Sequence, residues 1–266
     1  MKINKQRVDI LLVEKGHAKS REEAKKMVMA GCVYVANEKI IKSSTYVSSE
    51  LNIEVKNFEK EFVSRGGYKL KKALSEFSIS VNGLIAADIG ASTGGFTDCL
   101  LKNEAKKVYA VDTGYGQLDW KLRNDNRVEV LERLNARFLK TDSFNEKIDF
   151  VTIDVSFISL KLIFPAVINI LKKDGDIVCL IKPQFEAGRD KVGKKGVVRE
   201  KSTHIEVIKN VIGYAKSNKL NIKALSFSPI KGPNGNIEYL LYLTRNEIED
   251  FQKDIKLLVD NAWSNL

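Results

Sequence analysis

The chain is poor in the residues that bind metals and form disulfides. Its 266 residues include two histidines, His17 and His204, and three cysteines. Cys32, Cys99 and Cys179 are odd in number, far apart, and each set in an apolar stretch. They read as small buried hydrophobes in a reducing compartment, which excludes a disulfide frame. With so little histidine there is almost no material for a zinc site, and no metal is expected. Long apolar runs are also missing. Nothing approaches the ~18 residues of a membrane span, and Met1 to Arg7 leads into no signal-type apolar core, so a cytoplasmic location is expected. There is no internal repeat and no low-complexity tract.

What is present suits a soluble chain with a real core: 44% of residues are hydrophobic and 29% charged. The net charge of +10 points to a polyanionic partner, nucleic acid before acidic membrane. Charge is uneven, because the first 80 residues hold 16 Lys and Arg against 10 Asp and Glu. The front of the chain is therefore the expected grip on a polyanion.

Two segments differ in pattern, and the expected division is residues 1–60 and 61–266. In the first, Val8, Leu11 and Leu12 predict a short helix closed at Lys15-Gly16. Ser20 and Glu23 form a capping box that opens a second helix, Arg21 to Ala30, ended by Gly31. Cys32–Ala36 predicts a strand, Asn37–Lys39 a turn, Ile40–Ile41 a second strand, and Val47–Val55 further alternation. The linker, residues 56–64, contains neither proline nor glycine.

In the second segment strands alternate with helices. Strands are predicted at Leu84–Ile89, Lys107–Asp112, Val128–Leu131, Asp149–Asp154, Asp176–Ile181, Ile222–Phe227 and Ile237–Leu243. Helices are predicted at Gly95–Lys102, Gln117–Arg123, Leu160–Leu171 and Thr203–Ser217. The pattern specifies an α/β fold with a mostly parallel, doubly wound sheet of seven strands. The short Ser228–Asn236 connection cannot hold a crossover helix, so the last two strands should pair antiparallel. Residues 245–266 predict a closing amphipathic helix with Ile248, Phe251, Ile255, Leu258 and Trp263 on its apolar side.

The most informative stretch is Asp88-Ile-Gly90-Ala-Ser92-Thr93-Gly94-Gly95-Phe96-Thr97, a strand end running through small residues into a helix. Glycines there let backbone approach a nucleotide-type cofactor. Gly90, Ser92 and Gly95 stand where a dinucleotide fingerprint wants three glycines, and the middle one is missing. That favours a nucleoside cofactor without a pyrophosphate, of which S-adenosylmethionine is the common one. Asp112 ends the next strand, where a carboxylate can accept from ribose hydroxyls. Asn135, after the third strand, is either an adenine contact or a turn residue. Asp154 and Lys182 end the fourth and fifth strands and are expected to meet. Glu238, inside the last strand, needs a partner, and Lys69 follows Ser64-Arg65-Gly66-Gly67-Tyr68. The expected arrangement puts Lys182 at the centre, oriented by Asp154 and Glu238, with Lys69 positioning substrate.

The first segment resembles the S4 RNA-binding domain, through Arg7-Val-Asp and Ser20-Arg21-x-x-Ala24-x-x-Met27-x-x-Ala30-Gly31-x-Val33-x-Val35. That resemblance implies RNA contacts at Lys19, Arg21, Lys25 and Lys26, with Arg7 adjacent, and the spacing of Arg21 and Lys25 puts them on one helix face. The blocks Ser-Arg-Gly-Gly-x-Lys-Leu, Asp-Ile-Gly-Ala-Ser-Thr-Gly-Gly-Phe-Thr-Asp, Ile-Asp-Val-Ser-Phe-Ile-Ser-Leu and Ile-Lys-Pro-Gln-Phe-Glu, in that order, are similar to the TlyA family, also called hemolysin A. The resemblance covers nearly the whole chain. It implies an S4 domain joined to an FtsJ-type ribose 2′-O-methyltransferase with a Rossmann-like fold, acting with S-adenosylmethionine on cytidine in ribosomal RNA, of the large subunit and, for longer members, the small subunit too. Its catalytic tetrad maps onto Lys69, Asp154, Lys182 and Glu238. The implied cofactor set is Asp88, Gly90, Ser92, Thr93, Gly94, Gly95, Phe96, Asp112, Asn135 and Asp154. Further RNA contacts are expected at Arg65 and in the charged, mobile loop carrying Lys191, Lys194 and Lys195. Ribosomal RNA or a ribosomal subunit is the expected partner, and a monomer the favoured state. The alternatives are a membrane-active hemolysin and a ribosome-binding module without catalysis.

Overall fold

A computed structural model describes residues 5–29, 31–56, 61–249 and 251–266. Ala30 and linker residues 57–60, which include the expected domain boundary, lie outside the described residues. The chain divides into two compact units, residues 1–61 and 62–266.

The first unit contains β1 (Lys5–Arg7), α1 (Val8–Glu14), α2 (Arg21–Met29), β2 (Val33–Val35), β3 (Glu38–Lys39), β4 (Tyr46–Ser48) and β5 (Ile53–Val55). Leu11 and Leu12 of α1 and Ala24 and Val28 of α2 bury against Val33 and Ile53. The capping box forms with one shift: Ser20 Oγ accepts from Glu23 N (3.2 Å), while the Glu23 carboxylate accepts from Lys19 N (2.8 Å). The strand expected at Ile40–Ile41 lies earlier, at Glu38–Lys39, inside the segment expected to be a turn. Ala36 and Asn37 both take positive φ, so a two-residue hairpin turn closes at once and pairs Val35 with Glu38. β1, unforeseen, pairs antiparallel with β4.

The second unit contains α3 (Gly66–Glu76), β6 (Ile85–Ile89), α4 (Gly95–Lys102), β7 (Lys107–Val111), α5 (Trp120–Arg123), β8 (Val128–Leu131), β9 (Ile148–Ile153), α6 (Phe164–Ile170), β10 (Leu171–Ile181), α7 (Pro183–Glu186), α8 (Lys201–Ser217), β11 (Asn221–Phe227), β12 (Tyr239–Thr244) and α9 (Ile255–Asn265). Seven strands form one sheet in the order β11-β12-β10-β9-β6-β7-β8. The pairs from β10 to β8 are parallel, and β12 is antiparallel to both β10 and β11, as the short connection requires. Alternate residues serve opposite faces. Ala86, Val108, Phe150 and Val178 pack towards α3 and α4, whereas Ile89, Val151, Ile177 and Leu241 pack towards α6, α8 and α9. Burial on both faces explains why these strands read as continuous apolar runs.

Three helices are shorter than expected. Pro165 fits only the first turn of a helix, so a 3-10 turn at Leu160–Leu162 precedes α6, and β10 already begins at Leu171. The Asp119 side chain caps α5 by accepting from Lys121 N (2.9 Å), which sets its start. The closing helix begins only at Ile255, where Asp254 accepts from Leu257 N (3.0 Å). Ile248 is therefore exposed, while Phe251, Ile255, Leu258 and Trp263 still meet the core. Among the described residues no helix is long and apolar enough to cross a membrane.

Candidate active site

Chain order reverses between β6 and β9, the neighbours whose carboxyl ends open a crevice at the switch point of the sheet. The loop after β6 lies there. Gly90 has φ +88°, and a Cβ on it would sit 2.7 Å from the Asp154 carbonyl, so only glycine lets the two strand ends approach. Ser92 and Thr93 are exposed, Gly94 is buried, and Ser92 has a positive φ of 49°. Gly95 packs against the start of α3, where its Cβ would meet Ser64 Oγ at 2.2 Å and Gly67 N at 2.9 Å. Phe96 is buried in the core behind the loop.

One expected cofactor contact is engaged within the protein instead. Asp88 is fully buried, accepting from Thr97 N (2.9 Å), Thr97 Oγ1 (2.7 Å) and Thr152 Oγ1 (3.0 Å). Burial raises its pKa to about 7. Its role is to brace the loop onto α4 and β9, with no atom left facing the crevice. Asn135 caps a 3-10 turn, Ala136–Phe138, with Oδ1 accepting from Arg137 N (3.0 Å), and the residue is exposed after β8. Asp112 is half-buried, and its oxygens accept from Ser92 N (2.8 Å) and Gly114 N (2.7 Å). Each oxygen keeps a second lone pair, enough for ribose hydroxyls. An exposed backbone loop with a half-buried acceptor beside it fits a nucleoside.

The four expected catalytic residues come together. Lys69 lies on α3, Asp154 and Lys182 just past β9 and β10, and Glu238 just before β12. The register that pairs Ile181 with Tyr239 brings Lys182 and Glu238 to the same sheet edge. The pairing differs from expectation. Glu238, 1% exposed, holds Lys69 at 2.6 Å and does not orient Lys182. Asp154 Oδ1 holds Lys182 at 2.5 Å, and its Oδ2 lies 3.9 Å from Lys69. The result is a chain of alternating charge, Glu238–Lys69–Asp154–Lys182, mostly shielded from water. Two ammonium groups are thus fixed by two carboxylates, which compensates burial that would otherwise be costly.

Sequence reasoning missed the supports around this chain. Lys182 Nζ donates to Ser156 Oγ (3.1 Å). Phe157 takes a positive φ of 63°, is 91% exposed, and lies 5.0 Å from the Phe185 ring. A non-glycine residue held at that φ with its ring in solvent is an unusual expenditure of strain. Glu186 accepts from Ser159 Oγ (2.6 Å) and Leu160 N (2.7 Å). All of these residues lie in the two blocks Ile153–Leu160 and Ile181–Glu186 that carried the resemblance, but nothing in the sequence showed that they bond to one another.

The expected RNA contacts separate into free and engaged groups. In the first unit Arg7 forks onto buried Asp9 at 2.9 Å through two nitrogens, and Arg21 joins it at 3.1 Å. Arg7 is therefore committed largely to structure. Lys25 pairs with Glu22 (2.6 Å), whereas the side chains of Lys19 and Lys26 are exposed. In the second unit Arg65 is exposed and donates to the Lys231 carbonyl (3.4 Å), and Lys191 pairs with Glu206 (2.6 Å). Lys194 and Lys195 are exposed on a turn whose far end is hydrogen-bonded. Buried Asn236 accepts from Val198 N (3.0 Å) and donates to the Gly196 carbonyl (2.7 Å). His204 Nε2 donates to the Val198 carbonyl (3.1 Å), leaving Nδ1 to accept from the Tyr239 hydroxyl (2.8 Å). These bonds fasten the far end of the loop, Gly196–Val198, to Asn236 and His204. Among the described residues no group of three His, Cys, Asp or Glu could hold a metal ion.

Residues 62–245 match the FtsJ-like methyltransferase family, and residues 6–52 match the S4 domain. The chain belongs to the FtsJ-like methyltransferase family. Its relatives include YqxC of Bacillus subtilis (strain 168), 51% identical over 91% of this chain and 87% of that protein. The 16S/23S rRNA (cytidine-2′-O)-methyltransferase TlyA of Mycobacterium tuberculosis (strain ATCC 25618 / H37Rv) is 44% identical over 89% of each chain. A solved structure from Streptococcus thermophilus, titled as a hemolysin, matches with a TM-score of 0.77 and 45% identity over 99% of this chain and 97% of that one. In this FtsJ-like methyltransferase the four charged residues occupy the carboxyl edge of the family's parallel sheet.

Proposed function

We propose that the protein transfers a methyl group from S-adenosylmethionine to the 2′-hydroxyl of a cytidine ribose in ribosomal RNA. The observation that carries this reading is the buried Glu238–Lys69–Asp154–Lys182 chain beside a nucleoside-type loop. The relatives' names supply the substrate, and the S4 match supplies a second grip on RNA.

The loop from Gly90 to Gly95 with Asp112 would hold the cofactor, which supplies an electrophilic methyl on a sulfonium. The protein's own task is to place a weak nucleophile in line with that methyl, so positioning carries much of the rate. Lys182, fixed by Asp154 and Ser156, presents a cationic donor to the ribose oxygen. That contact strengthens as the hydroxyl proton departs and negative charge grows on oxygen. Lys69, fixed by Glu238, supplies the second positive charge. Asp154 lies between the two ammonium groups and can take up the proton. Phe157 offers an exposed π-face at the mouth, suited to stack the base of an extruded nucleotide. Lys19, Lys26, Arg65, Lys194 and Lys195 supply positive charge for phosphates, which position RNA without reading its sequence.

Calorimetric titration with S-adenosylmethionine, followed by transfer of its labelled methyl to purified ribosomal RNA, tests the reading. Saturable binding and label in RNA support it. Binding without transfer to RNA or to ribosomal subunits would leave a ribosome-binding module.

A further inference from the structure

The parallel β9–β10 ladder, which pairs Ile153 with Cys179, sets the base of the Asp154–Lys182 pair, and beyond it the geometry depends on the fit between the two loops that these residues open. Asp154 opens a segment running to Leu160, and Lys182 opens one running to Glu186. Three contacts tie them. Lys182 Nζ donates to Ser156 Oγ (3.1 Å), the Phe157 and Phe185 rings meet at 5.0 Å, and Glu186 accepts from both Ser159 Oγ (2.6 Å) and Leu160 N (2.7 Å). The first involves the catalytic lysine itself, and the second is one partner of a strained, exposed ring. Only Glu186 makes two directional bonds, to a side chain and to backbone, at the far end of the Asp154 segment. It is also mostly buried, where a carboxylate without those two donors would be costly.

We propose that Glu186 is a positioning residue that locks the Asp154 segment onto the Lys182 segment and thereby sets the spacing of the Asp154–Lys182 pair. It touches neither the ribose nor the cofactor loop and acts through its hold on Ser159 and Leu160. This rests on the methyl-transfer reading above. Misplacement of a catalytic group by about 1 Å costs up to about 100-fold in rate, so loosening this tie should appear in turnover and not in RNA affinity.

The test compares Glu186→Ala with Glu186→Gln in the full chain, measuring kcat and KM for ribosomal RNA together with thermal stability. Glutamine can keep both bonds: its oxygen accepts from Leu160 N, and its amide donates to Ser159 Oγ. The expected result for Glu186→Ala is a kcat lower by about tenfold or more, with KM changed by less than about twofold. Glu186→Gln should recover most of the loss. Should Glu186→Ala not fold, Ser159→Ala removes one of the two bonds and should lower kcat by a smaller factor. Wild-type kcat in folded Glu186→Ala or Ser159→Ala, or equal loss in the Gln and Ala variants, overturns the proposal. An inactive wild-type chain would instead overturn the methyl-transfer reading, and the proposal with it.

Discussion

At the residue scale, the site is an exercise in compensating charge. Lys69 and Glu238 are both buried, so removing one partner strands the other in a poor solvent. Truncating Glu238 to alanine should lower unfolding stability by about 3 kcal/mol, the usual order for a broken buried pair. Chemical denaturation of wild type and variant measures this, and an unchanged midpoint would show that Lys69 finds another partner. Asp88 carries a separate pH signature. Its pKa is raised to about 7 in the folded protein because burial outweighs its hydroxyl and amide donors. A folded state that binds a proton more tightly than the unfolded chain is favoured at low pH. That advantage declines as pH rises from the ordinary carboxylate range through about 7 and is level above it. Asp88→Asn has no such titration. Relative to that variant, wild type should lose thermal stability between about pH 5 and 8, and parallel melting curves across that range would refute the assignment.

At the element scale, the close approach of α3 and α4 delivers Lys69. Gly95 meets the Ser64–Gly67 segment with no room for a methyl, because backbone Gly67 N would lie 2.9 Å from an added Cβ. Gly95→Ala should therefore cost about 1–3 kcal/mol by overpacking and should lower methyl transfer by displacing Lys69. Retained stability with full activity would mean that the helices slide apart freely. The alternation of strands and helices was readable from sequence because both faces of the sheet are covered. Apolar runs such as Ile85–Ile89 and Tyr239–Thr244 have no other use. Helix ends were less readable. Asp119 and Asp254 act as caps that cut short longer apolar patterns, and Pro165 restarts α6 after a 3-10 turn. The tetrad's members were visible as charged residues at strand ends, but its pairing was not. Whether Glu238 takes Lys69 or Lys182 depends on how α3 packs, which strand spacing does not encode. Asp88 shows the same limit: its position fits a ligand, and its hydrogen bonds went to the protein.

At the scale of the whole molecule, the first unit contributes charge and the second chemistry. Among the first unit's expected RNA contacts, Lys19 and Lys26 are exposed while Arg7 is spent on Asp9 and Lys25 on Glu22. Replacing Lys19 and Lys26 by alanine should weaken RNA binding and flatten its dependence on salt. Each lost phosphate contact removes about 0.7–0.9 from the slope of log K against log salt. Arg7→Ala should instead lower stability, by freeing the buried carboxylate of Asp9. Filter binding across a salt series checks the first statement, and an unchanged slope would move the RNA grip elsewhere.

In the proposed reaction Lys182, held by Asp154, serves methyl transfer to a ribose oxygen. The most direct measurement digests ribosomal RNA after incubation with S-adenosylmethionine and either wild type or Lys182→Ala, and identifies the methylated nucleotide by mass spectrometry. Wild type should yield 2′-O-methylcytidine, and the variant at least about 100-fold less. A methyl on a base, or equal 2′-O-methylation by both proteins, would contradict that role.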